Sequence, residues 1–112
     1  MSRIVLIEDD AFIREDLRME LAGAGHKVAA YDGGDSALPT ILSDPPDVII
    51  TDIVMEDGEG MDVIVKIRDH SDILIIAISS NPEYLKYAEA LGAHRTILKP
   101  FRPNALLHTI AA

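Results

Sequence analysis

The sequence has no cysteine, which excludes disulfides and thiolate metal sites outright. It is also poor in positive charge: 10 Lys and Arg stand against 19 Asp and Glu, a formal net charge of -9. Phosphate neutralisation needs clustered Lys and Arg, so no nucleic-acid partner is expected for this domain. Part of the acidic excess can instead serve a cation site. No apolar run approaches the roughly 20 residues that span a bilayer. The N-terminal run Arg3-Ile4-Val5-Leu6-Ile7 meets acids too soon to form a secretory apolar core. A soluble, cytoplasmic protein without a membrane partner is therefore expected. There is no internal repeat, linker or low-complexity tract. At 112 residues, with 48% hydrophobic residues, the chain can bury one core and not two, so residues 1–112 are read as a single domain.

What is present is an alternation of short apolar runs and helical patterns. Arg3 to Ile7 reads as a buried strand, followed by a helix from Ala11 to Ala24 with Ile13, Leu17 and Leu21 at helical spacing. Asp9 or Asp10 can cap that helix, and Gly23 or Gly25 can stop it. Lys27 to Tyr31, with Ala where other runs have Ile, reads as an edge strand. Gly33-Gly34-Asp35 opens a helix to about Leu42, and Asp47 to Thr51 is the next strand. Met61, Ile64, Val65 and Ile67 mark a third helix ending near His70, and Ile73 to Ile78 is the most apolar strand. Asn81-Pro82-Glu83 is a cap, a proline at the first helical position and an acid, opening a helix that Gly92 ends after Leu91. Arg95 to Leu98 is the last strand, and Pro103 opens a short final helix. Five βα units in succession imply right-handed crossovers and a parallel sheet covered on both faces.

The chain is organised around Val48-Ile49-Ile50-Thr51-Asp52-Ile53-Val54-Met55, an apolar run interrupted by a single carboxylate. Parallel strands share one carboxyl edge, where open α/β sheets place their ligands. Glu8, Asp9 and Asp10 reach that edge after the first strand, Asp52 after the third, Ser79 and Ser80 after the fourth, and Lys99-Pro100 after the fifth. With strand order 2-1-3-4-5, a doubly wound α/β sheet, the first and third strands are neighbours, and Asp9 and Asp52 face each other across the cleft. Two like charges about 4 Å apart repel by roughly 4 kcal/mol at an effective dielectric near 20. A proton, Lys99 or a metal cation must therefore offset the cluster. Carboxylates with room for water suit Mg²⁺, whereas His26, His70, His94 and His108 are scattered, read as surface residues, and give no zinc spacing. Glu56-Asp57-Gly58 resembles part of a calcium loop, but Val54 stands where that loop needs an oxygen. The chemistry the residues suggest is a carboxylate nucleophile, Asp52, beside a cation, with Lys99 to pair with an incoming anion and Ser79 to hydrogen-bond it.

Glu8-Asp9, Asp52, Ser79 and Lys99-Pro100-Phe101, in this order and spacing, resemble the signature of the receiver domains of two-component response regulators, over essentially the whole chain. The resemblance implies a flavodoxin-like (βα)5 fold and a phosphoacceptor that is not an enzyme acting on a separate substrate. Asp52 would accept a phosphoryl group from a phosphohistidine on a sensor histidine kinase or phosphotransfer protein. Mg²⁺ would be held by Asp9, Asp52 and the backbone carbonyl of Val54, with Glu8 acting through water. Lys99 and Ser79 would contact the phosphoryl group. The response would be read on the face of the fourth helix, fifth strand and fifth helix, by an output domain or a second copy, with Tyr84, Tyr87 and Thr96 as its candidate contacts. The Lys99-Pro100 peptide would be cis. The final helix is shorter than the resemblance implies, as expected of a piece of a longer regulator or of a chain that simply ends there.

This sequence departs from the family pattern in several places. Glu56 replaces the usual proline four residues beyond the phosphoacceptor, Thr96 replaces an aromatic switch residue, and Ser80 replaces a smaller residue beside the site. Val54 also lacks the acid that an aspartate-nucleophile phosphatase needs two residues after its nucleophile. The alternative to a phosphoacceptor is a phosphorylation-independent binding module of the same fold. Val54 and Asn81 stand where the family tunes loss of the phosphoryl group, and apolar Val54 cannot orient an attacking water. A long-lived phosphoryl state is expected, and a hydrolysis rate unchanged in Val54→Asn would remove its basis.

Overall fold

The computed structural model describes residues 2–53, 59–69 and 71–111, and side chains are not described at 59, 60 and 103. Its elements run β1 (Arg3–Ile7), α1 (Ala11–Gly23), β2 (Lys27–Tyr31), α2 (Gly34–Ser43), β3 (Val48–Asp52), α3 (Glu59–Arg68), β4 (Leu74–Ser79), α4 (Pro82–Leu91), β5 (Arg95–Leu98) and α5 (Pro103–Ala111). The five strands form one parallel sheet in the order β2-β1-β3-β4-β5. The sequence-based fold class and strand order hold, and the Ala-containing β2 does lie at an edge.

The three central strands explain why their sequences are continuous apolar runs. Successive side chains alternate between two cores, and both cores exclude water. Val5, Ile7, Ile49, Ile75 and Ala77 pack with Ala37 and Ile41 of α2, Val63, Ile64 and Ile67 of α3, and Leu85 and Ala88 of α4. Ile4, Leu6, Val48, Ile50, Ile76 and Ile78 pack on the other face with Leu17 and Leu21 of α1 and Leu106 of α5. Phe101 packs at the margin of this second core, as expected of a space-filling residue.

Local chemistry sets the helix ends. The Asp10 carboxylate accepts the Phe12 and Ile13 N–H groups at 2.9 and 3.0 Å and so caps α1. The Asn81 side-chain oxygen accepts the Glu83 N–H at 2.9 Å with Pro82 beginning α4, the start its sequence signals. Two expectations need correction. On α3 the core-facing residues are Val63, Ile64 and Ile67, while Val65 is 39% exposed, so the apolar stripe lies one step away from the one first drawn. That helix ends at Arg68, and His70 lies outside the described residues. His94 and His108 are exposed as expected and His26 is half-buried, but two of these surface histidines also bond the backbone. His26 Nδ1 accepts the Ser2 N–H at 3.0 Å and His94 Nδ1 accepts the Ile75 N–H at 3.2 Å, each closing the beginning of a strand at the sheet edge opposite the acids.

Gly92 ends α4 at φ 126°, and a Cβ there would collide with the side chain of Arg68, which donates to the Ile73 carbonyl. Gly23 closes α1 in open space, with nothing within 4 Å of an added Cβ. Gly92→Ala is expected to destabilise the fold by about 1–3 kcal/mol. Gly23→Ala should stabilise it by about 0.5–1 kcal/mol. Urea unfolding of the two variants should show opposite signs; equal midpoints would contradict the geometry.

Candidate functional site

Each group at the carboxyl edge is held by the hydrogen-bond ladder of the sheet. The Glu8 N–H donates to the Tyr31 carbonyl at 3.0 Å, Ile53 to Ile78 at 3.1 Å, and Lys99 to Ser79 at 2.8 Å, so the pairing continues to the last functional residue of each strand. Ile7 lies opposite Thr51, and Asp52 opposite Ile78. One further step therefore brings Glu8, not Asp9, abreast of Asp52. Glu8 is 3% exposed and Asp52 5%, whereas Asp9 is exposed at the rim. This register sets Glu8 level with Asp52 and leaves Asp9 one residue further along the β1–α1 loop.

Lys99 reaches across the end of β4 to donate from Nζ to Asp52 Oδ2, and its Nζ is 3.6 Å from Glu8 Oε2. One lysine thus faces two buried carboxylates. Burial first, then the hydrogen bond and charge of Asp52, push the Glu8 carboxyl from its ordinary 4.5 to about 8, against the opposing pull of Lys99. Burial lowers the Lys99 pKa, but the hydrogen bond and charge of Asp52, with Glu8 behind it, outweigh that and raise it, so the ammonium stays charged. Burial and the neighbouring Asp52 thus favour a proton on Glu8 beside the charged Lys99.

Ser79 is 1% exposed, and its Oγ accepts the Asn81 N–H at 3.0 Å, which fixes the hydroxyl at the β4–α4 turn. Ser80 beside it is exposed. The Asn81 side chain is committed to capping α4. Thr96 lies on β5, and its hydroxyl donates to Glu89 Oε1 on α4 at 3.4 Å. Val54, assigned a backbone carbonyl ligand and a tuning role, and Glu56 lie outside the described residues. The Lys99-Pro100 peptide is cis. An open groove of about 620 Å³ beside Lys99 is lined by Ile13, Leu17 and Met19 of α1 and by Pro100 and Phe101. Sequence inspection did not single out two residues that support this site. Thr51, fully buried, donates its hydroxyl to the Asp52 carbonyl at 3.0 Å. Arg14 donates to the Glu8 carbonyl at 2.8 Å. Neither has a motif of its own; only the register of their neighbours could have pointed to them.

Among the described residues no three acids or histidines are already gathered into a metal cage. Mg²⁺ does not need one, because it keeps several waters and takes one or two carboxylates. The donor set fits such an ion: only oxygen ligands are on offer, and burial has already forced a proton onto Glu8. A hard dication in its place would relieve the same repulsion.

An aspartate, a second acid and a lysine thus meet at one carboxyl edge of an open α/β sheet. The response regulator receiver domain family matches residues 4–111, and the chain belongs to that family. It is 37% identical over 107 residues to the transcriptional regulatory protein KdpE of Staphylococcus aureus, covering 94% of this chain and 46% of that protein. It is 30% identical over 112 residues to the DNA-binding response regulator MtrA of Mycobacterium tuberculosis, covering 98% of this chain and 49% of that protein. The chain therefore spans about half the length of these curated relatives. Among solved structures it superposes on the chemotaxis protein CheY4 of Vibrio cholerae with a TM-score of 0.91 and 28% identity, covering 99% of this chain and 97% of that one. A receiver domain protein of Methanospirillum hungatei, 24% identical with a TM-score of 0.90, shares the fold over 99% of this chain and 91% of that one.

The raised Glu8 pKa makes a prediction for metal-free protein. The folded state keeps a proton that the unfolded chain releases, so stability falls as pH rises from about 4.5 to about 8. Glu8→Gln should flatten this window and stabilise the protein at pH 8 by a few kcal/mol, on the order set by about 1.4 kcal/mol per pKa unit. Denaturant unfolding in EDTA at several pH values tests this. Parallel profiles for the two proteins would contradict it.

Proposed function

We propose that Asp52 is the phosphoacceptor of a receiver domain and takes its phosphoryl group from a phosphohistidine on a sensor histidine kinase or phosphotransfer protein. The observation that carries the reading is the buried Asp52 carboxylate at the end of β3 with the Lys99 ammonium donating to it. A carboxylate oxygen of Asp52 attacks phosphorus in line as the P–N bond to the donor imidazole breaks. The imidazole leaves with the bonding pair and takes up a proton, and an acyl phosphate remains on Asp52. Because Lys99 already pairs with Asp52, it needs only a small movement to follow the charge onto the phosphoryl oxygens. Ser79, whose Oγ accepts from Asn81, keeps its O–H proton for a phosphoryl oxygen. Asp9, Asp52 and the Val54 carbonyl, with Glu8 through water, would hold Mg²⁺, which offsets charge on the transferring group. Residues 1–112 act in this reading as one domain, with the donor approaching past the groove at Lys99 and the exposed Phe12.

Phosphorylation adds charge and acceptor oxygens at Lys99 and Ser79, and both residues lead into the elements that flank the output face. That face carries exposed Tyr84, Tyr87 and Leu91 on α4 and Leu98 on β5. We assign it to contact with an output domain or a second copy. Thr96, through its bond to Glu89, ties β5 to α4 where the family uses an aromatic rotamer. We assign the lifetime of the acyl phosphate to Ser80 and Asn81, which follow Ser79 at the β4–α4 turn, and to Val54.

Intact mass after incubation with acetyl phosphate or phosphoramidate tests the proposal. One added phosphoryl group is expected with Mg²⁺, little without it, and none on Asp52→Asn. A wild-type protein that gains no phosphoryl group would leave the binding-module reading in its place.

A further inference from the structure

The β1–α1 loop delivers both Glu8 and Asp9, yet the ladder holds only Glu8, through its N–H. Asp9 lies past the last ladder bond and before the cap at Asp10. Arg14 of α1 is half-buried and turns back over the helix start. Its Nη1 donates to the Glu8 carbonyl at 2.8 Å and lies 3.5 Å from the Asp9 carbonyl, so one guanidinium nitrogen spans two consecutive peptides. Helix stability does not account for this placement. The first turn of α1 holds no acid, and a cation near the positive end of a helix dipole is unfavourable. Arg18, one turn further along and likewise half-buried, pairs instead with Glu15 at 2.5 Å, an i,i+3 pair within the helix.

We propose that Arg14 is a positioning residue for divalent-cation binding: by gripping the Glu8 and Asp9 carbonyls it fixes the directions in which these two acids leave the backbone. The proposal rests on the phosphoacceptor reading of the same site. Two peptide planes pinned by one rigid guanidinium leave the acids little freedom, and preorganised ligands bind without first being ordered. Partners that orient metal ligands from outside the coordination shell commonly change affinity by 10- to 100-fold when removed. The sign of the effect separates positioning from charge. Loss of a positive charge beside an acidic cluster should, by Coulomb's law alone, tighten Mg²⁺ binding; loss of positioning should weaken it.

The test is Mg²⁺ titration of the unphosphorylated protein followed by amide chemical shifts, since the chain has no tryptophan to report binding. Arg14→Ala should bind Mg²⁺ about tenfold more weakly, Arg14→Lys should fall between it and the wild type, and Arg18→Ala should match the wild type. At saturating Mg²⁺, Arg14→Ala should accept phosphoryl groups from phosphoramidate at close to the wild-type rate. Unchanged or tighter Mg²⁺ binding by Arg14→Ala overturns the proposal, and so does a loss confined to the saturated rate. If Arg14→Ala does not fold, Arg14→Lys carries the test, because it keeps the charge and loses the planar fork; wild-type affinity there overturns the proposal. A wild type that takes up no phosphoryl group would instead remove the phosphoacceptor reading itself, an outcome distinct from failure of the Arg14 variants alone.

Discussion

Two buried carboxyl groups and one half-buried ammonium meet at the carboxyl edge of the sheet, and most other features of this domain follow from holding them there. Lys99 can neutralise Asp52 or Glu8 but not both. Charges of like sign about 4 Å apart cost roughly 4 kcal/mol at an effective dielectric near 20, comparable with a large share of a small domain's net stability. The protein meets this with a proton on Glu8, whose pKa burial and Asp52 raise to about 8. In the proposed function the site exchanges that proton for a cation, and the Lys99–Asp52 contact for one between Lys99 and a more highly charged group on Asp52.

A site of this kind is only as exact as its backbone. The continuous apolar strands β1, β3 and β4 bury both faces of the sheet, and water is thereby kept from the ladder beneath the site. The ladder runs on through Glu8, Ile53 and Lys99 and leaves the β1–α1 turn beyond the last bond of β1. At that turn Arg14 and the Asp10 cap add hydrogen bonds from α1. The proposed output face lies toward the other edge of the sheet. β5 is an edge strand, joined to α4 by the Thr96–Glu89 bond, and is therefore freer to shift than the strands buried at the centre.

Much of this was legible in the sequence because the signals were period and punctuation. Apolar runs bounded by acids, hydroxyls or Lys-Pro located all five strands, and Asn81-Pro82-Glu83 located the start of α4. The carboxyl-edge argument then gathered Glu8, Asp52, Ser79 and Lys99 without any distance. Register was not legible. A shift of a single residue decides whether Glu8 or Asp9 stands against Asp52, and no periodicity within β1 or β3 reports how the two strands pair. The outward turn of Val65 is hidden for a similar reason, since an unbroken apolar helix segment does not reveal which residue of a pair turns inward. Arg14, His26 and His94 act through backbone carbonyls and N–H groups. Such partners depend on where the backbone ends up, not on a residue pattern.

The central claim is that Asp52, alone among the acids of this edge, carries the phosphoryl group. Hydride reduction tests it directly, because borohydride converts an aspartyl phosphate to homoserine and leaves free carboxylates intact. After phosphorylation in Mg²⁺, peptide mass mapping should find homoserine at position 52 and the unmodified acids at Glu8 and Asp9. Reduction at position 9, or a phosphorylated protein with no homoserine at position 52, would contradict the account.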